Sequence, residues 1–419
     1  MRHHAFTGDV TREELLQWYR AGRARTRALF DVIAPDAYYD RPVPLRNPLV
    51  FYEGHLPGFA VNTLVKLALK QRGVDERLET LFARGIDPED DGGVPAMNAW
   101  PARDEVQAFA SACDALVEEA LRDATLEDER VPELRGGEAA FTILEHELMH
   151  QETLLYLLHQ LPYEQKHGAN GRLLTHAAQD ERKNATSNIE RGSITIAAGF
   201  ATLGNDASFG WDNELPRHRV QVDEFTIDAH NVTNGEYLDY MQATGASAPH
   251  FFERHEGEWC FRGMFERKPL LADAPVYVTH DEAAAYARWK GKRLPTEAEF
   301  HRAAYSTPDG GEELHAQPRG NFDFQHLEPV RIGQYEPSAW GVYDLVGNGW
   351  EWTSTIFSGF DGFEPMPSYA LYSADFFDGA HYVMKGASPV TARELVRPSF
   401  RNWFRPNYPY VYATFRCVR

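Results

Sequence analysis

Helical periodicity in the first 165 residues restricts the folds that this chain can adopt. Four segments carry apolar side chains at helical spacing: one follows a capping-box pattern over Thr11–Glu14, one starts near Pro57, and two run over 103–121 and 138–161. Each apolar stripe has to be buried against another helix, so the pattern predicts an antiparallel four-helix bundle. His55 is expected to open the second of these helices.

The pattern changes at about residue 190. Short β-like runs, such as 194–196 and 219–222, alternate with turn residues, and helical patterns are limited to 281–290 and the residues after Pro295. Short strands that support long loops are typical of an α+β domain. The sequence therefore predicts an α+β protein. Its expected organisation is a helical domain over 1–165, a polar linker over 166–189 and a second domain over 190–419.

Charge and cysteine content narrow the classes of partner. The chain has 62 acidic and 42 basic residues, a net charge of −20 at pH 7, and such a surface repels nucleic acid and anionic membranes. Its three widely spaced cysteines form neither a disulfide framework nor a CxxC zinc pair. The sequence also lacks an apolar run of about 18 residues and an apolar signal-peptide core. We therefore expect a cytoplasmic protein without nucleic-acid or membrane partners.

Two histidines four residues apart, His146 and His150, form the strongest local motif. On a helix they share one face and can hold one metal ion, and bundle cores build metal sites from facing helices. His55 completes a three-histidine set. Three neutral imidazoles leave about three positions open on an octahedral ion, which suits Fe(II) that binds a substrate and O2 together. Tetrahedral zinc would keep only one open position.

The same helix also reads as HExxH, the pattern of zinc proteases, with Glu147 as the general base. The metzincin continuation has Gly and His where this chain has Thr153 and Tyr156. A zinc-dependent hydrolase or thiol transferase is therefore the alternative to an iron enzyme. Glu147 or Glu152 is also a candidate to orient a ligating imidazole through its second nitrogen.

Several ordered motifs lie in the C-terminal half of the chain, and each alone is typical of turn chemistry. Together they resemble the domain of formylglycine-generating enzymes, which has C-type-lectin-like topology, over residues 190–419. The catalytic cysteines of those enzymes have no evident counterpart, because Cys417 follows the terminal Phe-Arg and Cys260 lies in a variable insert. Copper-dependent formylglycine chemistry is therefore not expected. The motifs occupy 204–218, 232–237, 293–300, 344–353 and 415–416.

A helical bundle with the His55, His146 and His150 set, joined to such a domain, resembles the ergothioneine-type sulfoxide synthases and the related selenoneine synthases. The resemblance spans essentially the whole chain, and the stretch 397–403 is its C-terminal signature. It implies a DinB-like bundle as the N-terminal domain. It also implies an enzyme that uses Fe(II) and O2 to join the imidazole C2 of hercynine to a chalcogen donor.

The resemblance further implies a substrate pocket. Asn402 and Trp403 would line the hercynine pocket between the two domains, since a quaternary ammonium group prefers an aromatic wall. Arg401 and Arg405 are candidate clamps for a carboxylate. These residues, together with Met149, Phe376 and Phe377, are the expected substrate-binding set.

Departures from the family pattern concern the chalcogen donor. Sulfoxide synthases commonly have Gln, which hydrogen-bonds the substrate imidazole, at the position of Met149. Residues 87–100 carry no tyrosine, and Phe376 and Phe377 lie where another branch places its catalytic tyrosine. We therefore expect a selenosugar donor and selenoneine-synthase-like activity, with cysteine or γ-glutamylcysteine sulfoxidation as the alternative. No catalytic residue is assigned, although four tyrosines are candidates to reach the metal: Tyr372, Tyr382, Tyr408 and Tyr410.

Overall fold

The computed structural model describes residues 10–83, 99–167, 192–206, 209–314 and 317–419. The chain forms two compact units. The first comprises residues 1–173 together with 207–209 and 365–372, and the second comprises the remainder. The first is helical and the second combines short strands with helices, so the α+β prediction is confirmed.

Five α-helices lie in the described residues of the first unit. Helix α1 begins with the capping box that its sequence predicts, because Thr11 and Glu14 exchange side-chain and backbone hydrogen bonds. Helix α2 continues beyond its last α-helical residue as a π-helix over Val61–Ala68. The helices are α1 (Arg12–Phe30), α2 (Leu49–Ala60), α3 (Glu76–Phe82), α4 (Arg103–Asp123) and α5 (Glu138–Gln160).

The expected start of α2 was wrong. The helix begins at Leu49, so His55 lies in its middle and not in its first turn, and Pro57 is an interior residue. Every residue from Leu49 to Gly58 is buried. A helix that is buried on all sides shows no 3.6-residue alternation of polar and apolar side chains, and the periodicity therefore missed its first two turns.

Buried ion pairs hold α1, α4 and α5 together. The Arg23 guanidinium of α1 lies 2.8 Å from the Asp114 carboxylate of α4 and 2.9 Å from the Glu147 carboxylate of α5. All three side chains are almost completely buried. Since Glu147 faces α1, the neighbouring His146 and His150 point elsewhere around the α5 axis.

In the part of the second unit that the structure describes, there are eleven short strands and three α-helices. Each helix begins with a threonine capping box, at Thr233, Thr279 and Thr296. The helices are α6 (Asn234–Thr244), α7 (His280–Trp289) and α8 (Glu297–Tyr305). The strands are β1 (Ser193–Ile196), β2 (Gly199–Leu203), β3 (His218–Val222), β4 (Phe225–Asp228), β5 (Phe252–His255), β6 (Glu258–Arg262), β7 (Arg267–Pro269), β8 (Gly349–Ile356), β9 (Tyr382–Ala387), β10 (Asn402–Phe404) and β11 (Ala413–Thr414).

The largest sheet has the order β10–β9–β8–β11. Strand β9 pairs antiparallel with both β8 and β10, and β11 pairs parallel with β8. Arg416, which is fully buried, donates to both carboxylate oxygens of Glu351 on β8. Strand β10 forms one edge of this sheet and carries Asn402 and Trp403, with Trp403 opposite Val383.

Two of the sequence predictions concern residues outside the described ranges. Most of the expected linker over 166–189 and most of the tyrosine-free segment over 87–100 lie there. Among the helices of the described ranges, none combines the length and the apolar character that a bilayer crossing requires.

Candidate metal centre

Three histidine rings meet in the helical unit. His146 and His150 are one turn apart on α5, and His55 projects from the middle of α2. One ring nitrogen from each histidine lies within 4.8 Å of the other two. All three side chains are buried, with at most 6% of any residue exposed. The described residues thus bring the histidines of the sequence motif to one point.

Each of these rings has a buried nitrogen without a hydrogen-bond partner among the described residues. The atoms are Nε2 of His55, Nε2 of His146 and Nδ1 of His150. Leaving a buried polar atom unpaired costs about 1–3 kcal/mol, and three such atoms at one point form a donor set that fits a metal ion.

The protonation state of the rings also fits metal binding. Burial lowers the pKa of His55 to about 4, although the Phe82 carbonyl partly offsets this effect. Burial and the neighbouring histidines hold the pKa of His146 well below its usual value, and burial lowers that of His150 in the same way. The rings are therefore neutral at pH 7, which is the form that coordinates a metal.

Stacked aromatic rings fix the orientation of two of the histidines. The Phe59 ring lies over His146 with 3.5 Å between centroids and 10° between planes. Phe51 stacks on His55 with 4.7 Å between centroids. At the edge of the His55 ring, Nδ1 lies 2.8 Å from the main-chain carbonyl of Phe82, so Nδ1 carries the proton and Nε2 keeps its lone pair.

Residues 365–372, which are distant in sequence, also belong to the helical unit. Ser368 bonds the Thr142 hydroxyl at 2.9 Å, and its amide donates to the Glu138 carboxylate at 2.8 Å. The Tyr369 ring lies 6.1 Å from that of His146. Tyr372 donates its hydroxyl proton to the Met149 sulfur at 3.2 Å, so Met149 accepts a hydrogen bond directly beside His150.

In the second unit, the expected substrate-binding residues form part of an aromatic cluster. Trp403 stacks on Phe357 with 4.1 Å between centroids and 7° between planes. Phe376 lies 5.6 Å from Trp403, and Phe377 lies 5.1 Å from Phe357. Trp403, Phe376 and Phe377 are half-buried, so their rings keep exposed surface that a ligand can contact.

Two family models match the chain. The DinB superfamily model matches residues 18–154, and the sulfatase-modifying factor enzyme 1-like domain model matches residues 178–419. The hercynine oxygenase of Mycolicibacterium thermoresistibile is 30% identical to the chain, in an alignment that covers 94% of this chain and 92% of that protein. The chain belongs to the hercynine oxygenase family. The predicted resemblance to the ergothioneine-type synthases is thereby confirmed, while the selenoneine branch stays a prediction.

Longer relatives are found in fungi. The ergothioneine biosynthesis protein 1 of Neurospora crassa and that of Schizosaccharomyces pombe are each 27% identical to this hercynine oxygenase family member. The alignments cover 91% and 92% of this chain, but 54% and 53% of the fungal proteins. The chain therefore spans about half the length of these curated relatives.

The structure gives the two arginines of this family member different surroundings. Arg401 is buried and donates to both carboxylate oxygens of Glu297, at 3.0 and 3.1 Å, and to two main-chain carbonyls. Its guanidinium is thus engaged inside the unit, and the expectation that it clamps a substrate carboxylate is withdrawn. Arg405 is exposed and lies 3.6 Å from the Asp378 carboxylate.

Of the two glutamates that were candidates to orient a ligating histidine, Glu147 or Glu152, the structure engages Glu147 elsewhere. Its carboxylate accepts hydrogen bonds from Arg23 and the Thr26 hydroxyl, both on α1. Sequence reasoning did not anticipate Phe59, Tyr369 or the Phe82 carbonyl. The pair Tyr372 and Met149 is 223 residues apart in sequence, and a main-chain carbonyl has no side-chain signature that a motif could detect.

Proposed function

We propose that this protein is an O2-dependent, non-heme Fe(II) enzyme that forms a carbon–chalcogen bond at the imidazole C2 of hercynine. The observation that carries the proposal is the convergence of three neutral histidines whose buried, unpartnered nitrogens lie within the helical unit. The family supports the substrate, since its relatives are hercynine oxygenases.

We propose His55, His146 and His150 as the iron ligands. When bound, iron supplies the activation of O2 and a common point of attachment for both substrates. Three histidines leave room for more than one further ligand on an octahedral ion. The protein contributes buried aromatic side chains around the site. Phe51 holds the His55 ring in place and Phe59 holds the His146 ring.

For the second unit, we propose that the half-buried rings of Trp403, Phe376 and Phe377 bind the trimethylammonium group of hercynine. A quaternary ammonium group is attracted to aromatic faces by about 0.5–2 kcal/mol. Asn402 is the proposed hydrogen-bonding partner, and the exposed Arg405 is the proposed partner of a substrate carboxylate. Arg401 supports this surface indirectly, because its guanidinium packs over the Phe357 ring.

The proposed donor is a selenosugar, with a C–Se bond as the product. Met149 supports this choice, because its thioether accepts the Tyr372 hydroxyl and has no N–H to donate to a substrate imidazole. A soft, polarisable sulfur also suits a selenium neighbour. The specific observation in favour of a thiol donor, cysteine or γ-glutamylcysteine, is the similarity to proteins of ergothioneine biosynthesis.

The alternative of a zinc hydrolase or thiol transferase has less support. Its general base would be Glu147, whose carboxylate is buried in an ion pair with Arg23. A general base has to reach the water that it activates, and Glu147 instead faces α1.

Iron loading tests the metal assignment. The protein is loaded anaerobically with Fe(II), and bound iron, O2 consumption and product mass are measured for the native chain, His146→Ala and the control His255→Ala, which alters an exposed histidine. We expect about one iron per chain in the native protein and the control, and at least about a 100-fold weaker affinity in His146→Ala. Tight zinc binding without O2 consumption would overturn the proposal.

A donor comparison tests the chalcogen. Hercynine, Fe(II) and O2 are combined with a selenosugar, cysteine or γ-glutamylcysteine, and product masses and kcat/KM are determined for each. The selenosugar is expected to give the highest kcat/KM. A sulfoxide formed from cysteine or γ-glutamylcysteine at the higher efficiency would replace the C–Se assignment with the C–S one.

A further inference from the structure

The main-chain carbonyl of Phe82 is the neighbour of His55 that determines its tautomer. It lies 2.8 Å from Nδ1, and because a carbonyl oxygen only accepts, that nitrogen must carry the hydrogen. Phe82 is the last residue of α3. The final carbonyls of a helix have no partner within the helix, so this one is free to accept from the histidine. The result is a lone pair on Nε2, which has no hydrogen-bond partner among the described residues.

Gly54 allows α3 to come this close to α2. A Cβ atom built on Gly54 would lie 2.5 Å from Cδ2 and Cζ of the Phe82 ring, which is shorter than real Cβ contacts. The ring cannot easily retreat, because it is fully buried and packs against Phe109 and Trp100 at 5.9 and 6.2 Å between centroids. Gly is a poor helix former, and a mid-helix glycine at this position is explained by the space that Phe82 occupies.

We propose that Gly54 and Phe82 are positioning residues of the metal centre. Their close contact holds the end of α3 against His55, and thereby fixes the tautomer and the ring orientation of the one ligand that α2 contributes. This inference rests on the proposed role of His55 as a metal ligand. His146 and His150 are positioned relative to each other by their own helix, whereas His55 depends on packing between helices.

A pair of glycine substitutions tests the proposal. In Gly54→Ala the new methyl group meets the Phe82 ring. In the matched control Gly58→Ala, one turn later on α2, the methyl group lies 3.6 Å from the Phe109 ring and 3.8 Å from the Phe82 Cβ, which are ordinary contacts. Both changes replace glycine by alanine in the same helix, so they alter helix propensity equally.

The readouts are the Co(II) affinity of the metal-free protein and the visible absorption spectrum of the Co(II) form. We expect Gly54→Ala to bind Co(II) about 10- to 100-fold more weakly, as happens when an outer hydrogen bond to a ligand is lost, and to show an altered spectrum. Gly58→Ala should match the native protein. In the double variant Gly54→Ala/Phe82→Leu the smaller side chain makes room for the methyl group, and we expect affinity and spectrum to return most of the way.

A purely structural role for Gly54 would lower thermal stability but leave the affinity and spectrum of the folded fraction unchanged, and that result would overturn the proposal. If Gly54→Ala does not fold, the native protein itself supplies the test. Nitrogen NMR of histidine-labelled, metal-free protein should show His55 with its proton on Nδ1, and a proton on Nε2 would overturn the inference. Neither the tautomer nor Co(II) binding depends on which donor the enzyme accepts, so failure of the proposed reaction would leave these measurements intact.

Discussion

At the scale of single residues, buried histidines outside the metal centre also shape the behaviour of the protein. His301 on α8 is 1% exposed, and neither ring nitrogen has a hydrogen-bond partner within the described part of the chain. Burial, and then the positive charge of Lys385, keep its pKa well below the usual value. The ring is therefore neutral in the native state, while the unfolded chain binds a proton below about pH 6.5.

His301 thus makes stability fall as the pH decreases. Below pH 6.5 the unfolded state binds more protons than the native state, and stability falls by up to about 1.4 kcal/mol per pH unit. We expect His301→Phe to lose no hydrogen bond and to reduce the difference in unfolding free energy between pH 7 and pH 5 by up to about 2 kcal/mol. Denaturant unfolding at pH 7 and pH 5 measures this difference in unfolding free energy. The control His255→Phe, which alters an exposed histidine, should leave the difference unchanged.

Met149 is the residue at which donor choice can be tested directly. Met149→Gln introduces an amide that can donate to a substrate imidazole, and one hydrogen bond is worth about 1 kcal/mol. We expect the ratio of kcat/KM for selenosugar over cysteine to fall about 5- to 10-fold. Met149→Leu keeps the size without adding a donor and should leave the ratio near its native value. Equal ratios in all three proteins would show that Met149 does not determine the choice of donor.

At the scale of secondary-structure elements, the ion pairs of Arg23 decide how α5 is rotated against its neighbours. Arg23→Ala would leave the carboxylates of Asp114 and Glu147 buried without this partner, and breaking a buried pair costs about 3–5 kcal/mol. Arg20, one turn earlier on α1, pairs with Glu118 at the surface. Arg20→Ala should cost less than about 1 kcal/mol. Urea unfolding of both variants measures the contrast, and equal losses would contradict it.

The elements also show what the sequence could and could not predict. The capping signal at Thr11 and the amphipathic stripes of α4 and α5 are local. They predicted the start of α1, and both ends of α4 and α5 to within two residues. The start of α2 was missed because its first ten residues are buried on every side. Helix α3 has only seven residues, too few for a periodic pattern.

At the candidate site, too, local features could be predicted from the sequence and features that depend on packing could not. The spacing of His146 and His150 follows from helix geometry, and His55 was predicted as the third ligand because it lies on another helix of the bundle. The Phe82 carbonyl and the Phe59 ring depend on how α2 packs against α3 and α5, which no local pattern encodes. An arginine beside aromatic residues in sequence is compatible with a substrate clamp and with a buried ion pair. The sequence did not distinguish the two, and Arg401 forms the buried pair with Glu297.

At the scale of the whole molecule, the helical unit is not a continuous stretch of chain. Residues 365–372 belong to it, and Met366 and Ser368 are buried there. We expect a fragment of residues 1–167 to melt at a lower temperature than the full protein and to bind the dye ANS, because the surface around Thr142 and Met149 would be uncovered. A synthetic peptide of residues 362–375 should raise the melting temperature, and a scrambled peptide should not. An unaltered melting temperature in the fragment would contradict this description.

The discontinuity of this unit sets an order of events during synthesis. At about 5–20 residues per second, the ribosome reaches Tyr372 about 10–40 s after it completes α5. Throughout that interval the nascent chain has its three histidines but neither Tyr369 beside His146 nor the Tyr372 hydroxyl on Met149. The three histidines of the newborn protein are therefore synthesised before the segment that packs beside His146 and donates to Met149.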